Sequence, residues 1–253
     1  VIRLSRRRLI ASLGAGAGGL LVSGCDRVGR SPAFQSLLTG AEDLTMKAQR
    51  LVSSRNALAP EYGEADMSPV FRTNGNTMPA SLDYQAHLGS GFRNWRLVVD
   101  GLVERPLSLS LDHIRRLPAR TQITRHDCVE GWSAIGKWTG VPLKLLLGGA
   151  GLKPQARYIV FHCADDFGGT PYYESIDLVD ALHPQTILAW AMNGAPLSVG
   201  HGAPLRARIE RQLGYKHAKY VMRIEAVDSL ARIGRGKGGF WEDVAGYEWY
   251  AGI

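Results

Sequence analysis

Apolar residues recur with two periods along this chain, and the change of period divides it. Leu37, Leu38, Leu44, Ala48 and Leu51 fall at helical spacing, which predicts one surface helix within residues 26–60. From Ala59 to Asn94, Pro, Gly, Asn and Ser interrupt any sustained pattern. So long an irregular stretch is either disordered or wrapped around something functional. The ordered body begins at Trp95, with strands predicted at 96–103 (interrupted by Asp100-Gly101), 107–109, 121–125, 158–163, 187–192, 205–209 and 220–227. Ser110 is placed to cap a brief helix that Pro118 stops, and Asp177 opens another short helix reaching Leu182. Pro142 suits the first position of a helix running to Leu147 and closed by Gly148-Gly149, and Asn193-Gly194 suits a hairpin turn. Short strands mixed with short helices, without βαβ alternation, predict an α+β fold of mixed sheets. After a glycine-rich run at 234–239 come Trp241, Tyr247, Trp249 and Tyr250, which read as a tail packed back on the domain or, alternatively, as a ligand-binding lid.

The N-terminus reads as an address. Arg3, Arg6, Arg7 and Arg8 precede an uncharged run from Leu9 to Gly24, short of the roughly 20 apolar residues a membrane span needs. Ser5-Arg6-Arg7-Arg8-Leu9-Ile10 has the form of a twin-arginine export signal, the route taken by proteins that fold first. Leu21-Val22-Ser23-Gly24-Cys25 resembles a lipobox, so Cys25 is expected to carry a lipid anchor; plain cleavage that discards it is the alternative. The expected organisation is a signal at 1–25, a spacer with one helix at 26–60 and one domain at 61–253, in the periplasm or on the outer face of the cytoplasmic membrane. Four of the positive charges behind the net +7 lie in that signal, and no block of Lys/Arg alternates with aromatics elsewhere, so a nucleic-acid surface is not expected.

With Cys25 set aside, Cys128 and Cys163 remain, and in an oxidising compartment two cysteines can be one disulfide. The segment Arg125-His126-Asp127-Cys128-Val129-Glu130-Gly131-Trp132 argues otherwise, because charged neighbours lower a thiol pKa and favour a metal-binding thiolate. If the chain stays extended, Glu130 points to the same side as Cys128. A zinc site from His126, Cys128, His162 and Cys163 is disfavoured, since 162 and 163 are adjacent on a predicted strand and face opposite ways.

Arg125-His126-Asp127-Cys128-Val129-Glu130-Gly131-Trp132-Ser133, followed by Trp138-Thr139-Gly140-Val141-Pro142-Leu143, resembles the molybdenum-binding segment of the sulfite oxidase superfamily. It is most similar to the branch containing the periplasmic methionine sulfoxide reductase catalytic subunit. The resemblance implies a molybdopterin-binding domain of mixed sheets and short helices, without a dimerisation domain, holding one molybdenum–molybdopterin per chain. It makes Cys128 the metal ligand and Asn74, within Phe71-Arg72-Thr73-Asn74-Gly75, a pterin-contacting residue. Cys163 falls where the reductase branch has a cofactor-contacting threonine, and a thiol is a weaker donor than a hydroxyl. His201-Gly202-Ala203-Pro204-Leu205-Arg206 resembles the phosphate-binding corner, with Arg206 meeting the phosphate as a fork of donors. Gly214-Tyr215-Lys216-His217-Ala218-Lys219 resembles the matching basic loop, which adds His217 and Lys219 as cofactor contacts. Tyr172 matches the tyrosine that the superfamily brings to its metal.

The activity implied is oxygen-atom transfer coupled to two electrons, with a sulfoxide or similar oxide reduced and Glu130 or Tyr172 relaying protons. Sulfite oxidation by the same site is the alternative, weakened because no Arg or Lys lies between Val129 and Gly136. A lipid-anchored binding protein without turnover is the third reading. The sequence has no Cys-x-x-Cys-His haem site and too few cysteines for an iron–sulfur cluster. A separate redox partner, a membrane haem protein, is therefore expected, and a monomer is the default state.

Overall fold

The computed structural model describes Gly29 and residues 31–253; the expected export signal and the Cys25 lipobox lie outside the described residues. The chain forms two compact units, one ending at Val52 and one spanning Ser53–Ile253. The first contributes α1 (Pro32–Val52), the helix that the apolar spacing required. No helix among the described residues is long and apolar enough to cross a membrane.

The second unit is α+β, built on two sheets. In one, β2 (Leu107–Ser110), β1 (Arg96–Gly101), β10 (Val221–Val227), β5 (Tyr158–Phe167) and β6 (Thr170–Asp177) lie side by side in that order. Only the β1–β10 pair is parallel; the remaining pairs in this sheet are antiparallel. In the other, β3 (Arg120–Asp127), β4 (Ser133–Pro142), β7 (Ile187–Met192) and β8 (Ala195–Pro196) follow one another, and β9 (Arg206–Arg208) also pairs with β7. Short helices fill the corners: α2 (Leu82–Gly89), α3 (Leu111–Arg116), α4 (Leu143–Ala150), α5 (Leu178–Ala181) and α6 (Phe240–Ala245). The main core joins Leu97, Val99, Ile159, Phe161, Ile176, Leu188 and Ile224, all fully buried.

Local chemistry explains most boundaries. Ser110 caps α3, its hydroxyl accepting from the His113 amide, and Asp177 caps α5 by accepting from the Val179 and Asp180 amides. The expected stop of α4 at Gly148-Gly149 is not found. The helix runs on to Ala150 because Leu143, Leu146, Leu147 and Ala150 bury one continuous face, and it ends at Gly151, whose φ is +71°. The stretch 59–94 is less irregular than its composition: α2 lies within it, opened by Ser81, whose side chain accepts from the Tyr84 amide.

Strand β4 was not expected, because Gly136 and Gly140 interrupt its apolar alternation. Those glycines occupy the buried face with Ala134 and Trp138, where a side chain has little room. A Cβ on Gly140 would collide with the Leu188 backbone across the β4–β7 ladder, beside a register shift. Gly140→Ala is accordingly expected to destabilise the domain by about 3 kcal/mol, read as a shift in the urea midpoint at unchanged slope.

Candidate active site

The β3–β4 hairpin carries the cysteine. Asp127 pairs with Ser133, and the loop between them closes through Cys128 N–H to the Trp132 carbonyl and Gly131 N–H to the Cys128 carbonyl, both 2.9 Å. Gly131 has φ +85°. This turn corrects the extended path expected from Cys128 to Glu130. Glu130 nevertheless acts on the thiol, its amide lowering and its carboxylate raising the Cys128 pKa, while Trp132 Nε1 donates to Glu130 Oε2 at 2.9 Å. Asn74 Nδ2 approaches the Cys128 sulfur at 3.4 Å.

The flanking charges do not make a free thiolate. Arg125 pairs with Asp127 at 2.9 Å, and the His126 ring is buried. Burial pushes the Cys128 thiol up, and the Glu130 carboxylate adds to this, outweighing the Glu130 amide and Asn74. A bound metal ion would supply the missing positive charge. Cys128 and Cys163 are both free, so the disulfide reading is not borne out. The zinc reading fares no better: among the described residues no three His, Cys, Asp or Glu side chains gather around a point, and His162 pairs instead with Glu225.

Around Cys128 lies a cavity. Its mouth includes the exposed Val129 and Glu130, and the half-buried Trp241 and Tyr247. Buried Asp165, Tyr172, Arg206, Tyr215, His217 and Lys219 form its interior, and Asn74, Gly75 and Asn76 close one side. The 74–76 loop is the ordered form of the irregular stretch. Lys219 Nζ donates to the carbonyls of Asn74, Asn76 and Gly200, and the Tyr220 hydroxyl donates to the Asn76 carbonyl at 2.9 Å.

Arg206 is the electrostatic centre of this cavity. Its guanidinium is buried and forms no ion pair among the described residues; it donates only to the carbonyls of His201 and His217, at 3.1 and 3.4 Å. Its buried Nε has no partner. Burial, with Arg208 beside it, lowers its pKa to about 9, and burial plus Arg206 lowers Lys219 to about 7. Two cations held so far below their usual range define a place for an anion.

Two acceptors complement them. His217 Nε2 lies 3.0 Å from the carbonyls of Ile209 and Gln212, so it must carry the proton, and its buried Nδ1 is left unpartnered. Burial and Arg208 hold this ring well below the usual histidine range, hence neutral. Asp165 offers an unpartnered buried Oδ1, and burial raises its carboxyl to about 6. Asp165 was missed from the sequence. It sits where the β5–β6 register shifts between His162 and Asp166, and such bulges re-aim side chains in a way that alternation cannot foresee.

Seven expected residues thus meet in one cavity: Asn74, Cys128, Glu130, Tyr172, Arg206, His217 and Lys219. Two do not. Cys163 is absent from the wall, its sulfur lying 4.0 Å from the Phe161 carbonyl. The His201 ring is spent on Ser198 at 2.8 Å and the Phe71 carbonyl at 3.2 Å. Lys219 also differs from expectation, since three backbone carbonyls already take its donors. The tail packs back on the domain, as expected, and its Trp241 and Tyr247 line the cavity mouth.

A soft sulfur, a buried unpaired guanidinium and paired acceptors beside it are the donor set a phosphorylated, dithiolene-bearing pterin requires. The family model described as "Oxidoreductase molybdopterin binding domain" matches residues 86–232. The chain belongs to this family. The putative protein-methionine-sulfoxide reductase subunit YedZ1 of Azospira oryzae is 36% identical over 255 residues, covering 99% of this chain and 89% of that protein. The protein-methionine-sulfoxide reductase catalytic subunit MsrP of Xanthomonas campestris pv. campestris is 36% identical over 147 residues, 54% of this chain and 46% of its own length. Among solved structures, the sulfane dehydrogenase SoxCD of Paracoccus pantotrophus aligns at TM-score 0.49 and 26% identity, covering 54% of this chain and 39% of that one. The sulfite oxidase resemblance read from the sequence, the α+β fold and the oxidoreductase assignment all stand at family level.

Behind this cavity lies a second charged group that the sequence did not reveal. Lys216 is fully buried between Glu174 and Glu242, 2.7 Å from the latter. Burial pushes the Glu174 carboxyl well up, while the two carboxyls outweigh burial and hold Lys216 above its usual value. Burial thus favours the protonated form of Glu174, opposed by the Lys216 charge beside it. Lys216→Met is expected to destabilise the fold by roughly 3–5 kcal/mol at neutral pH. In that variant the Glu174 carboxyl loses the cation that opposes its burial and is pushed further above its ordinary value. Its deficit should therefore be smallest below the ordinary carboxylate range and should grow as pH rises through and above it, as chemical denaturation from pH 4 to 7 will read.

Proposed function

We infer that the chain is the catalytic part of an exported molybdenum enzyme that reduces a sulfoxide, with methionine sulfoxide as the leading substrate. The observation that carries this reading is the surroundings of Cys128. An acidic side chain and aromatic rings stand at the mouth, and the cations lie deeper, at Arg206 and Lys219. Sulfite is a dianion and would meet Glu130 first, whereas a neutral sulfoxide pays no such penalty. Arg125 is engaged by Asp127, and burial holds His126 well below its usual pKa, so neither offers positive charge there. The names of the relatives, both methionine sulfoxide reductase subunits, point the same way.

Cys128 would bind the molybdenum, and Arg206, His217, Asp165 and the 74–76 loop would hold the pterin. When bound, the cofactor supplies the two electrons and accepts the oxygen atom. Overall, one sulfoxide, two electrons and two protons give one thioether and one water. Glu130, exposed beside the sulfur, is placed to pass the protons in from solvent. Tyr172 is not: its hydroxyl donates to the Tyr215 carbonyl at 2.8 Å, and burial pushes its pKa well above the usual range. Tyr172 serves as cavity wall. The electrons would come from a separate subunit, a membrane haem protein, to which a lipid at Cys25 would keep the enzyme close.

The test is metal analysis and steady-state kinetics on full-length protein made with its own signal in cells that synthesise the cofactor. About one molybdenum per chain is expected, with turnover of methionine sulfoxide exceeding that of sulfite. A metal-free protein, or one that turns over sulfite alone, overturns the reading. Cys128→Ser should cut turnover at least a hundredfold, ~100-fold being the upper range for losing a mere outer-shell partner of a metal whereas Cys128 would be a direct ligand, while the pterin is still recovered. Arg206→Ala should lose the pterin itself, measured by fluorescence of the released, oxidised cofactor.

A further inference from the structure

The cavity mouth includes a part of the chain that lies outside the family-matched span. Trp241 and Tyr247 both follow residue 232, yet both line the cavity that holds Cys128. Their rings stack at 6.0 Å with planes 26° apart, and each is half-buried, so together they present one partly open aromatic wall. Val129, 45% exposed, lines the same mouth.

This wall is fixed in place. On either side of Trp241 the chain is bolted down: Phe240 stacks on Phe167 at 5.0 Å, and Glu242 meets the buried Lys216 at 2.7 Å. Asp243 takes the Tyr173 hydroxyl and the amides of Arg235 and Lys237. Phe167 itself meets the Trp241 ring at 5.2 Å, and Tyr247 is braced by Tyr215 at 5.1 Å. Buried charges are costly to arrange, and here they anchor a six-residue helix whose Trp241 reaches the mouth of the cavity.

We propose that Trp241 and Tyr247 are specificity-determining residues: with Val129 they form an aromatic slot that receives the apolar arm of the sulfoxide substrate and leaves the S=O group toward Cys128. The proposal rests on the sulfoxide reading above and deepens it. The methylene groups of that arm gain from the apolar faces of the rings, and the polarisable thioether sulfur of the product packs well against them. A substrate with only methyl groups on sulfur has little to place there, and a charged inorganic anion has nothing.

The test compares two sulfoxides on molybdenum-loaded enzyme. N-acetyl-methionine sulfoxide carries the arm; dimethyl sulfoxide lacks it. Trp241→Ala is expected to raise KM for the first about tenfold with kcat within about twofold, and to lower kcat/KM for the first at least about fivefold more than for the second. Trp241→Phe should restore most of the loss. Tyr247→Ala, which leaves the α6 anchors intact, should move the same ratio in the same direction and carries the test if Trp241→Ala fails to fold or to load metal. An unchanged ratio in these variants, or equal loss on both substrates, overturns the slot. Wild-type enzyme that reduces neither sulfoxide overturns the functional reading instead, so the two failures are distinct.

Discussion

Two arginines on one short strand, one neutralised and one not, set the physics of this molecule. Arg206 and Arg208 lie two residues apart on β9, and both guanidiniums sit over the Trp138 ring, at 5.0 and 4.3 Å. Arg208 is fully buried and fully answered: Glu210 takes it bidentately at 2.9 and 2.6 Å, and His126 Nδ1 accepts from it at 2.9 Å. Arg206 receives carbonyl oxygens only. The same strand thus shows what the fold does with a buried cation that is purely structural, and Arg206 departs from it. A buried charge without a counterion is tolerated only where something else pairs with it.

The surrounding groups are tuned to that vacancy of charge. Arg208 fixes the His126 tautomer through Nδ1, and Arg208, His126 and Arg206 all help to keep His217 neutral, its ring 5.0 Å from that of His126. A neutral His217 leaves Nδ1 as an acceptor toward the cavity instead of a third positive charge. Lys219 spends its donors on the 74–76 loop, turning a stretch rich in turn residues into a cavity wall. Charge placement and loop order are therefore one problem, solved by the same few residues on and after β9.

Sequence legibility follows from range. A strand with clean alternation, β1, a continuous apolar run, β7, and helices with a local cap, such as α3 and α5, were readable because their determinants lie within a few residues. The Cys128 segment and Arg206 were readable through resemblance. What escaped depended on distant partners or broken periods. Glycines hid β4 although its buried face is regular. A register shift hid Asp165. The Glu174–Lys216–Glu242 group joins positions 42 and 26 residues apart, and nothing near Lys216 announces them. His201 and Cys163 failed in the opposite sense: motif position placed them at the cofactor, but the local hydrogen bonds of His201 and the β5–β6 bulge after His162 turned them aside.

The cavity therefore divides into regions with different origins. Its cationic interior and Cys128 come from the span that defines the family, 86–232, and answer to the charge and softness of the cofactor. Part of its mouth comes from the tail beyond that span, where the shape and polarity of the substrate matter. The junction between them is Lys216, which sits on the basic loop of the interior and grips Glu242 of the tail helix. The ionic grip is buried while the presented surface is aromatic, so anchor and presented surface are made by different side chains. Under the slot proposed above, substrate choice would vary without cofactor binding, a separation that a single shared wall would not allow.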